Sequence, residues 1–360
     1  MRVVHLADYA APYAGAFIPM IHAAAEAARG RGWDFELALP AEAEGRPWAA
    51  DLPRHGLAPR LVPPGGRRAL ARWIAASLDD RPTILHTHFA TYDVPATAAA
   101  RGRGHVKVVW HVHNTLKTAP AVRARNTLTF GLLGRRVAAF VCVAPDAARD
   151  VRARLAPRGR VHVLLNGIPT DRFPLVGAEQ RRAARERLGL DPADAALLHY
   201  GWDWHRKGGD VFVDAVRRLR AAGRRVLGLT VGGDPAAAGD GVRVLAPVDD
   251  VRLLHAAADC FVSPSRAEGM PFSIVEALAS GLPAVASDVP EGQVAIGRDL
   301  PGYRLTPLDA GAVADAVAGL LDRDPEQAAA DARATRELVV ARWDIRPWAE
   351  RLMKLYEEVA

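Results

Sequence analysis

Short apolar runs alternate with longer amphipathic segments along the chain. Residues 2–6, 83–88, 106–111, 137–143 and 161–165 carry near-continuous hydrophobic character, as do 195–200, 225–231, 242–247 and 259–262. Runs of this length without strict alternation predict strands buried on both faces, the pattern of a parallel sheet. Residues 35–39 read as a further strand. Segments 17–29, 68–78, 91–100, 179–188 and 253–258, together with one opening at Pro145, have the spacing of helices. So do 308–321, 325–343 and 345–359. Strand and helix therefore alternate, and the fold class is α/β. Residues 170–175, next to Pro169 and containing Pro174, show no periodicity and mark a linker. The expected division is 1–170, 171–342 and a last helix over 343–360.

The chain has 360 residues, half of them hydrophobic, enough for two ordinary cores. Its formal net charge is +6 and its pI about 9.7. The arginines are scattered, and no basic patch with interleaved aromatics argues for a nucleic acid partner. Cys142 and Cys260 sit in the apolar runs AFVCVA and ADCFVSP and read as buried small residues. The chain opens directly on a strand, and no apolar run approaches membrane-spanning length, so a cytoplasmic protein is expected.

The stretch with the most chemistry is 266–288, RAEGMPFSIVEALASGLPAVASD. Gly269 supplies backbone freedom, Pro271 suits a helix start, and Gly281 followed by Pro283 ends the helix. A helix N-terminus opening on such a loop offers free N–H groups and partial positive charge, which is a site for phosphate. Glu268 precedes this helix and Glu276 lies inside it. A carboxylate accepts hydrogen bonds from two hydroxyls, as a ribose or hexose diol presents them. The plainer alternative is a buried helix with one solvated glutamate at its mouth.

Glu268-Gly-Met-Pro-Phe-Ser-Ile-Val-Glu276, with the following ALASGLPAVASD, resembles the E-x7-E motif of retaining, nucleotide-sugar-dependent glycosyltransferases of the GT-B fold, the group 1 or family 4 type. The resemblance implies two Rossmann-like domains facing each other across a cleft, with the C-terminal helix crossing back to the first. It places Glu268 near the donor sugar and Glu276 on the donor ribose, with Gly269, Met270, Pro271 and Phe272 lining the donor site. Lys207 in Gly-Trp-Asp-Trp-His-Arg-Lys-Gly matches the lysine that clamps the diphosphate. Trp202 stands where the family has an arginine, and Arg206 is the candidate to supply that charge. Gly15 matches one glycine of a pair that in the family lies near the donor phosphates or the acceptor, and whose other member is Ala14 here; the resemblance makes Gly15 a donor-binding candidate. His113 matches a histidine facing the donor sugar, and His88 one that follows the preceding strand. Asn166-Gly167-Ile168 and Gly232-Gly233 match further family turns, while Pro290-Glu291-Gly292 replaces a Gly-Gly pair.

Two His-x-His pairs, His86/His88 and His111/His113, invite a metal reading. No carboxylate or cysteine joins them at ligand spacing and they belong to different strands, so no metal site is expected. His86 and His111 are expected to cap loop carbonyls. Residues 117–136 mix basic residues with the apolar FGLL; they read as a solvated helix or as a surface able to meet anionic lipid. The expected activity is transfer of a hexose, with retention, from a UDP- or GDP-type sugar to an acceptor hydroxyl. His113, Glu268 and Lys207 do the chemistry and no cofactor is needed beyond the donor. The alternatives are a nucleotide-sugar epimerase or phosphorylase of the same fold, and a degenerate sugar-nucleotide-binding scaffold.

Overall fold

The computed structural model describes residues 1–11, 14–113, 120–154, 160–248 and 250–360, without the side chains of 120–123, 125 and 126. Residues 12 and 13 of the first loop, and 117–119 of the basic segment, lie outside the described residues. The chain forms two compact units, Met1–Gly167 with Ile345–Ala360, and Ile168–Asp344.

The first unit holds strands β1 (Arg2–Ala7), β2 (Asp34–Pro40), β3 (Arg60–Val62), β4 (Thr83–His88), β5 (Val106–Val112), β6 (Ala139–Cys142) and β7 (Val161–Val163). They form one parallel sheet in the order β3-β2-β1-β4-β5-β6-β7. The helices are α1 (Phe17–Arg29), α2 (Arg67–Ala76), α3 (Asp93–Ala99), α4 (Pro120–Leu133) and α5 (Pro145–Arg154). The C-terminal helix, Ile345–Val359, completes the unit beside α1, where Arg31 pairs with Glu350 at 2.8 Å and Glu357 at 2.9 Å. Alternate residues of each strand point to opposite faces. Val4, Leu6, Leu85, Val108 and Trp110 therefore share one core, while Leu37, Leu39 and Ala7 pack with Phe17 and Ile21 on the other side.

The second unit repeats the plan with β8 (Ala195–Tyr200), β9 (Val226–Val231), β10 (Val242–Leu245), β11 (Cys260–Ser263), β12 (Ala284–Ser287) and β13 (Tyr303–Thr306). Their order is β10-β9-β8-β11-β12-β13, again parallel. Its helices are α6 (Ala178–Arg187), α7 (Gly209–Ala221), α8 (Arg252–Ala257), α9 (Phe272–Ala279), α10 (Glu291–Val294), α11 (Ala310–Leu321) and α12 (Pro325–Trp343). In both units the chain starts mid-sheet, winds to one edge, then crosses back to build the other, the doubly wound Rossmann order. Such sheets bind ligands at the carboxyl ends of the strands next to the reversal point, β1/β4 in one unit and β8/β11 in the other. Cys142 and Cys260 are buried free thiols.

The short strands β3 and β13 are absent from the sequence-based expectation. Three or four residues carry too little periodicity to be seen, and they become strands because β2 and β12 offer them a ladder.

Candidate functional site

In the second unit, β8 ends at Tyr200 and the chain enters the loop 201–208 before α7. The loop is wound tightly: Lys207 N–H donates to Asp203 O at 2.8 Å and Gly209 N–H to Trp204 O at 2.9 Å. β11 ends at Ser263 and leads into the loop before α9. Arg266 joins the two loops. Its backbone N–H donates to Arg206 O at 2.8 Å, and its guanidinium donates to His205 O at 2.7 Å and pairs with Asp210 at 2.7 Å. Arg206, Lys207 and Glu268, predicted from separate motifs, thereby meet. Lys207 Nζ lies 2.5 Å from Glu268 Oε1, and Arg206 Nη1 lies 3.3 Å from Glu268 Oε2. Arg206 also pairs with Asp203 at 2.7 Å. Trp202 instead stacks on Tyr200 at 5.4 Å and is 47% exposed, so the second cation of this cluster comes from Arg206.

Glu268 is held from behind by groups that no motif announced. Ser265 Oγ donates to Glu268 Oε1 at 3.2 Å, and Ser287 Oγ donates to Ser265 O at 2.5 Å. Buried Gln293, on α10, donates to Ser263 O at 3.2 Å and to Ser287 O at 3.3 Å. α10 lies so close to the Glu268 loop that a Cβ on Gly292 would fall 1.4 Å from Gly269 O. Gly292 thus meets a need for close backbone approach in the segment that replaces the Gly-Gly pair.

Gly269, Met270 and Pro271 are buried and lead into α9, with Phe272 as its first residue. Pro271 is the cap residue and supplies no side-chain acceptor, which leaves first-turn N–H groups open to an anion. Glu276 lies one turn further on, half-buried, and its carboxylate has no hydrogen-bond partner among the described residues. Burial pushes its pKa up to about 7, against the opposing positive field of Arg172. An unpartnered carboxylate in this setting is suited to accept hydrogen bonds from an arriving diol.

Gly15 and His113 belong to the first unit. Gly15 sits in the turn before α1. His113 follows β5, and its ring stacks on Phe89 at 4.4 Å and meets Phe17 edge-on at 6.0 Å. The two His-x-His pairs come from neighbouring strands whose register aligns them: His5 pairs with His86 and His88 with His111. Alternation puts all five histidines on one sheet face. Among the described residues, His5, His86 and His88, and also His88, His111 and His113, bring ring nitrogens within 4.8 Å of one another. Two sequence-based expectations are corrected here. His86 bonds the Tyr356 hydroxyl instead of a loop carbonyl, and neither ring nitrogen of His111 has a partner among the described residues. Sheet order and the returning C-terminal helix decide those neighbours, and neither is visible in local spacing.

Residues 195–323 match the family described as Glycosyl transferases group 1, and residues 20–172 match Glycosyltransferase Family 4. The lipopolysaccharide core biosynthesis mannosyltransferase LpsB of Rhizobium meliloti is 31% identical over 256 residues, covering 62% of this chain and 72% of LpsB. D-inositol 3-phosphate glycosyltransferase 2 of Catenulispora acidiphila is 35% identical over 199 residues, 49% of this chain and 46% of that enzyme. The match thus spans about half the length of the second relative. The crystal structure of Anabaena HepE in complex with UDP and glucose superposes with a TM-score of 0.81 at 17% identity, covering 99% of this chain and all of that one. WaaG, a glycosyltransferase involved in lipopolysaccharide biosynthesis, gives 0.70 at 18% identity over 98% of both chains. The fold is GT-B, and the chain belongs to the group 1, family 4-type glycosyltransferases.

Proposed function

We propose that the chain is a retaining glycosyltransferase that moves a hexose from a nucleoside diphosphate sugar to an acceptor hydroxyl. The observation that carries this reading is the Lys207–Glu268–Arg206 cluster ahead of the uncapped start of α9, with the unpartnered Glu276 one turn on. Lys207, Arg206 and the helix N-terminus meet the charge that develops on the leaving diphosphate. Glu276 accepts the two ribose hydroxyls. Glu268 holds the donor sugar; the family resemblance gives His113 a role toward the sugar and Gly15 a donor-binding role. The anion for which Lys207 and Arg206 now serve, Glu268, gives way to the diphosphate when donor binds. No cofactor beyond the donor enters this reading. The HepE structures in complex with UDP and with UDP-glucose support a uridine donor; the guanosine alternative is supported by a GDP-mannose-dependent relative, 32% identical over 240 residues.

The test is thermal unfolding with UDP, GDP, ADP and their common sugars, on the wild type and on Glu276→Gln. Nucleotide at a hundred times its dissociation constant adds about 2.7 kcal/mol of stability. One base is expected to raise the transition, with the rise lost in the variant. Without ligand the sign reverses. Ionised Glu276 carries a burial penalty that is absent below the ordinary carboxylate range and full above pH 7. Glu276→Gln is therefore expected to be more stable than wild type at pH 8, by about 1–2 kcal/mol after solvent screening, and equal to it at pH 4. A variant that is less stable at pH 8 and still responds to nucleotide would overturn the assignment.

A second reading concerns the surface of α4. Leu128 and Leu132 are 63% and 64% exposed one helical turn apart, and the exposed Arg135 and Arg136 follow. An apolar pair flanked by arginines fits an anionic lipid surface, which supports a reading in which the enzyme docks peripherally at a membrane face. No helix of the described residues is long and apolar enough to cross a membrane. Sedimentation with vesicles containing phosphatidylglycerol is expected, with none on pure phosphatidylcholine. Leu128→Ser with Leu132→Ser should release the protein; equal sedimentation of wild type and variant would refute the surface.

A further inference from the structure

One buried polar system in the first unit has, apart from its last member His113, no role in the reaction proposed above. His86 Nδ1 is hydrogen-bonded to the Tyr356 hydroxyl. The same hydroxyl lies 2.9 Å from His5 Nε2. His5 Nδ1 lies 3.0 Å from His88 Nε2, and His88 Nδ1 lies 2.9 Å from His113 Nε2. Five side chains from β1, β4, the end of β5 and the C-terminal helix thus form one unbranched chain. It starts at fully buried His86 and ends at His113, its one partly exposed member.

A divalent cation among His5, His86 and His88, or among His88, His111 and His113, is the competing account. Neither group contains a carboxylate, all of these rings but His113 are buried, and an uncompensated buried charge is costly. The hydrogen-bonded chain engages each of these rings except His111 without that cost. Burial also lowers the proton affinity of all four imidazoles and raises that of the Tyr356 phenolate, so each ring is neutral and the hydroxyl keeps its proton.

A neutral imidazole has one donor nitrogen and one acceptor nitrogen, so the tautomer of each ring dictates that of the next. Tyr356 has a single hydrogen and two imidazole neighbours. If it donated to His86, the far nitrogen of that ring, Nε2, would be a buried N–H, and Nε2 has no partner among the described residues. If it donates to His5, His86 Nδ1–H donates to the phenol oxygen and Nε2 keeps only a lone pair. A buried donor without an acceptor is the rarer and costlier outcome. Tyr356 therefore donates to His5, His5 Nδ1–H to His88, and His88 Nδ1–H to His113 Nε2.

We infer that Tyr356, His5 and His88 are positioning residues that lock His113 as the Nδ1–H tautomer, so that it meets the substrate as a hydrogen-bond donor at Nδ1. This rests on the transferase reading for what His113 touches, but the tautomer itself is independent of it.

Long-range proton–nitrogen NMR on the full chain labelled with 15N-histidine reads the tautomer directly. The expected wild-type result is the Nδ1–H pattern for His5, His86, His88 and His113. Tyr356→Phe keeps the ring packing and removes the hydroxyl. In it His113 should lose its fixed tautomer and turnover should fall about tenfold at unchanged donor KM, the effect of one hydrogen bond. His5→Asn places an amide N–H where Nδ1–H was and should preserve both, whereas His5→Leu should not. This pair separates tautomer control from packing if Tyr356→Phe folds poorly. An Nε2–H His113 in the wild type, or an unchanged tautomer and rate in Tyr356→Phe and His5→Leu, overturns the inference. An inert wild type with the Nδ1–H pattern intact would count against the transferase reading alone.

Discussion

Lys207→Ala is expected to lower kcat/KM for the nucleotide-sugar donor roughly a hundred- to a thousandfold, the effect of removing one preorganised group aimed at developing charge. Lys207 and Glu268 side chains are 12% and 9% exposed and 2.5 Å apart, so the lysine acts where water screens little. Arg206 stays at 3.3 Å from Glu268 and also pairs with the exposed Asp203, so it keeps the carboxylate from being stranded in the variant. The loss of catalysis should therefore exceed the loss of stability, and the unfolding transition of the variant should remain close to wild type. Lys207→Arg is not expected to rescue fully, because a planar fork differs from a compact ammonium. The companion variant Glu268→Gln separates the two duties of the carboxylate. It removes the anion that holds Lys207 and Arg206, so bare nucleoside diphosphate should bind more tightly while sugar transfer falls. Steady-state kinetics with calorimetric binding decide the matter; a Lys207→Ala enzyme within threefold of wild type would remove the lysine from the mechanism.

Gly208→Ala is expected to unfold the second unit at a temperature about 5–15 °C below wild type. Gly208 has φ +69°, and a Cβ there would fall 1.8 Å from Pro264 O and 2.8 Å from Pro264 C. The left-handed conformation costs an L-residue about 1–2 kcal/mol. Overpacking adds about 1–3 kcal/mol, and each kilocalorie moves the transition of a domain of this size by about 2–4 °C. The obstacle is backbone, so no side-chain rotation relieves it. Gly189 is the control: its φ is +58° and nothing lies within 4 Å of an added Cβ, so Gly189→Ala should show the conformational cost alone. Pro264 begins the loop to Glu268 and Gly208 ends the loop of Lys207, so forcing them apart should abolish nucleotide-induced stabilisation as well. Equal melting of the two alanine variants would show that the contact does not constrain the loops.

Elements with long local signals are legible in the order of residues alone. Helices Phe17–Arg29 and Pro325–Trp343 and strands Thr83–His88 and Ala195–Tyr200 fall where periodicity and helix signals put them. The motif around Glu268 is legible for the same reason, since loop, helix start, Glu276 and Gly281 lie within one short stretch. The support beneath it is not. Gln293, Ser265, Ser287 and the Arg266–Asp210 pair are ordinary residues in sequence and acquire their roles only when β11, β12, α10 and α7 come together.

Local patterning alone therefore determined the α/β class and the helices and longer strands, and it marked a break in periodicity near Pro169 and Glu268, Glu276 and the helix start between them as candidates for binding a diol or a phosphate. Those depend on backbone sterics and side-chain period, which act over a few residues. Only the tertiary structure decided that Lys207 and Arg206 face Glu268 across 61 and 62 positions. The same holds for Gly208 and Gly292 pressing on distant backbone, and for His86, Tyr356, His5, His88 and His113 forming one hydrogen-bonded chain. These contacts follow from strand order, register and the return of the C-terminal helix, which are set by the packing of whole faces and leave no trace in the spacing of the residues that meet.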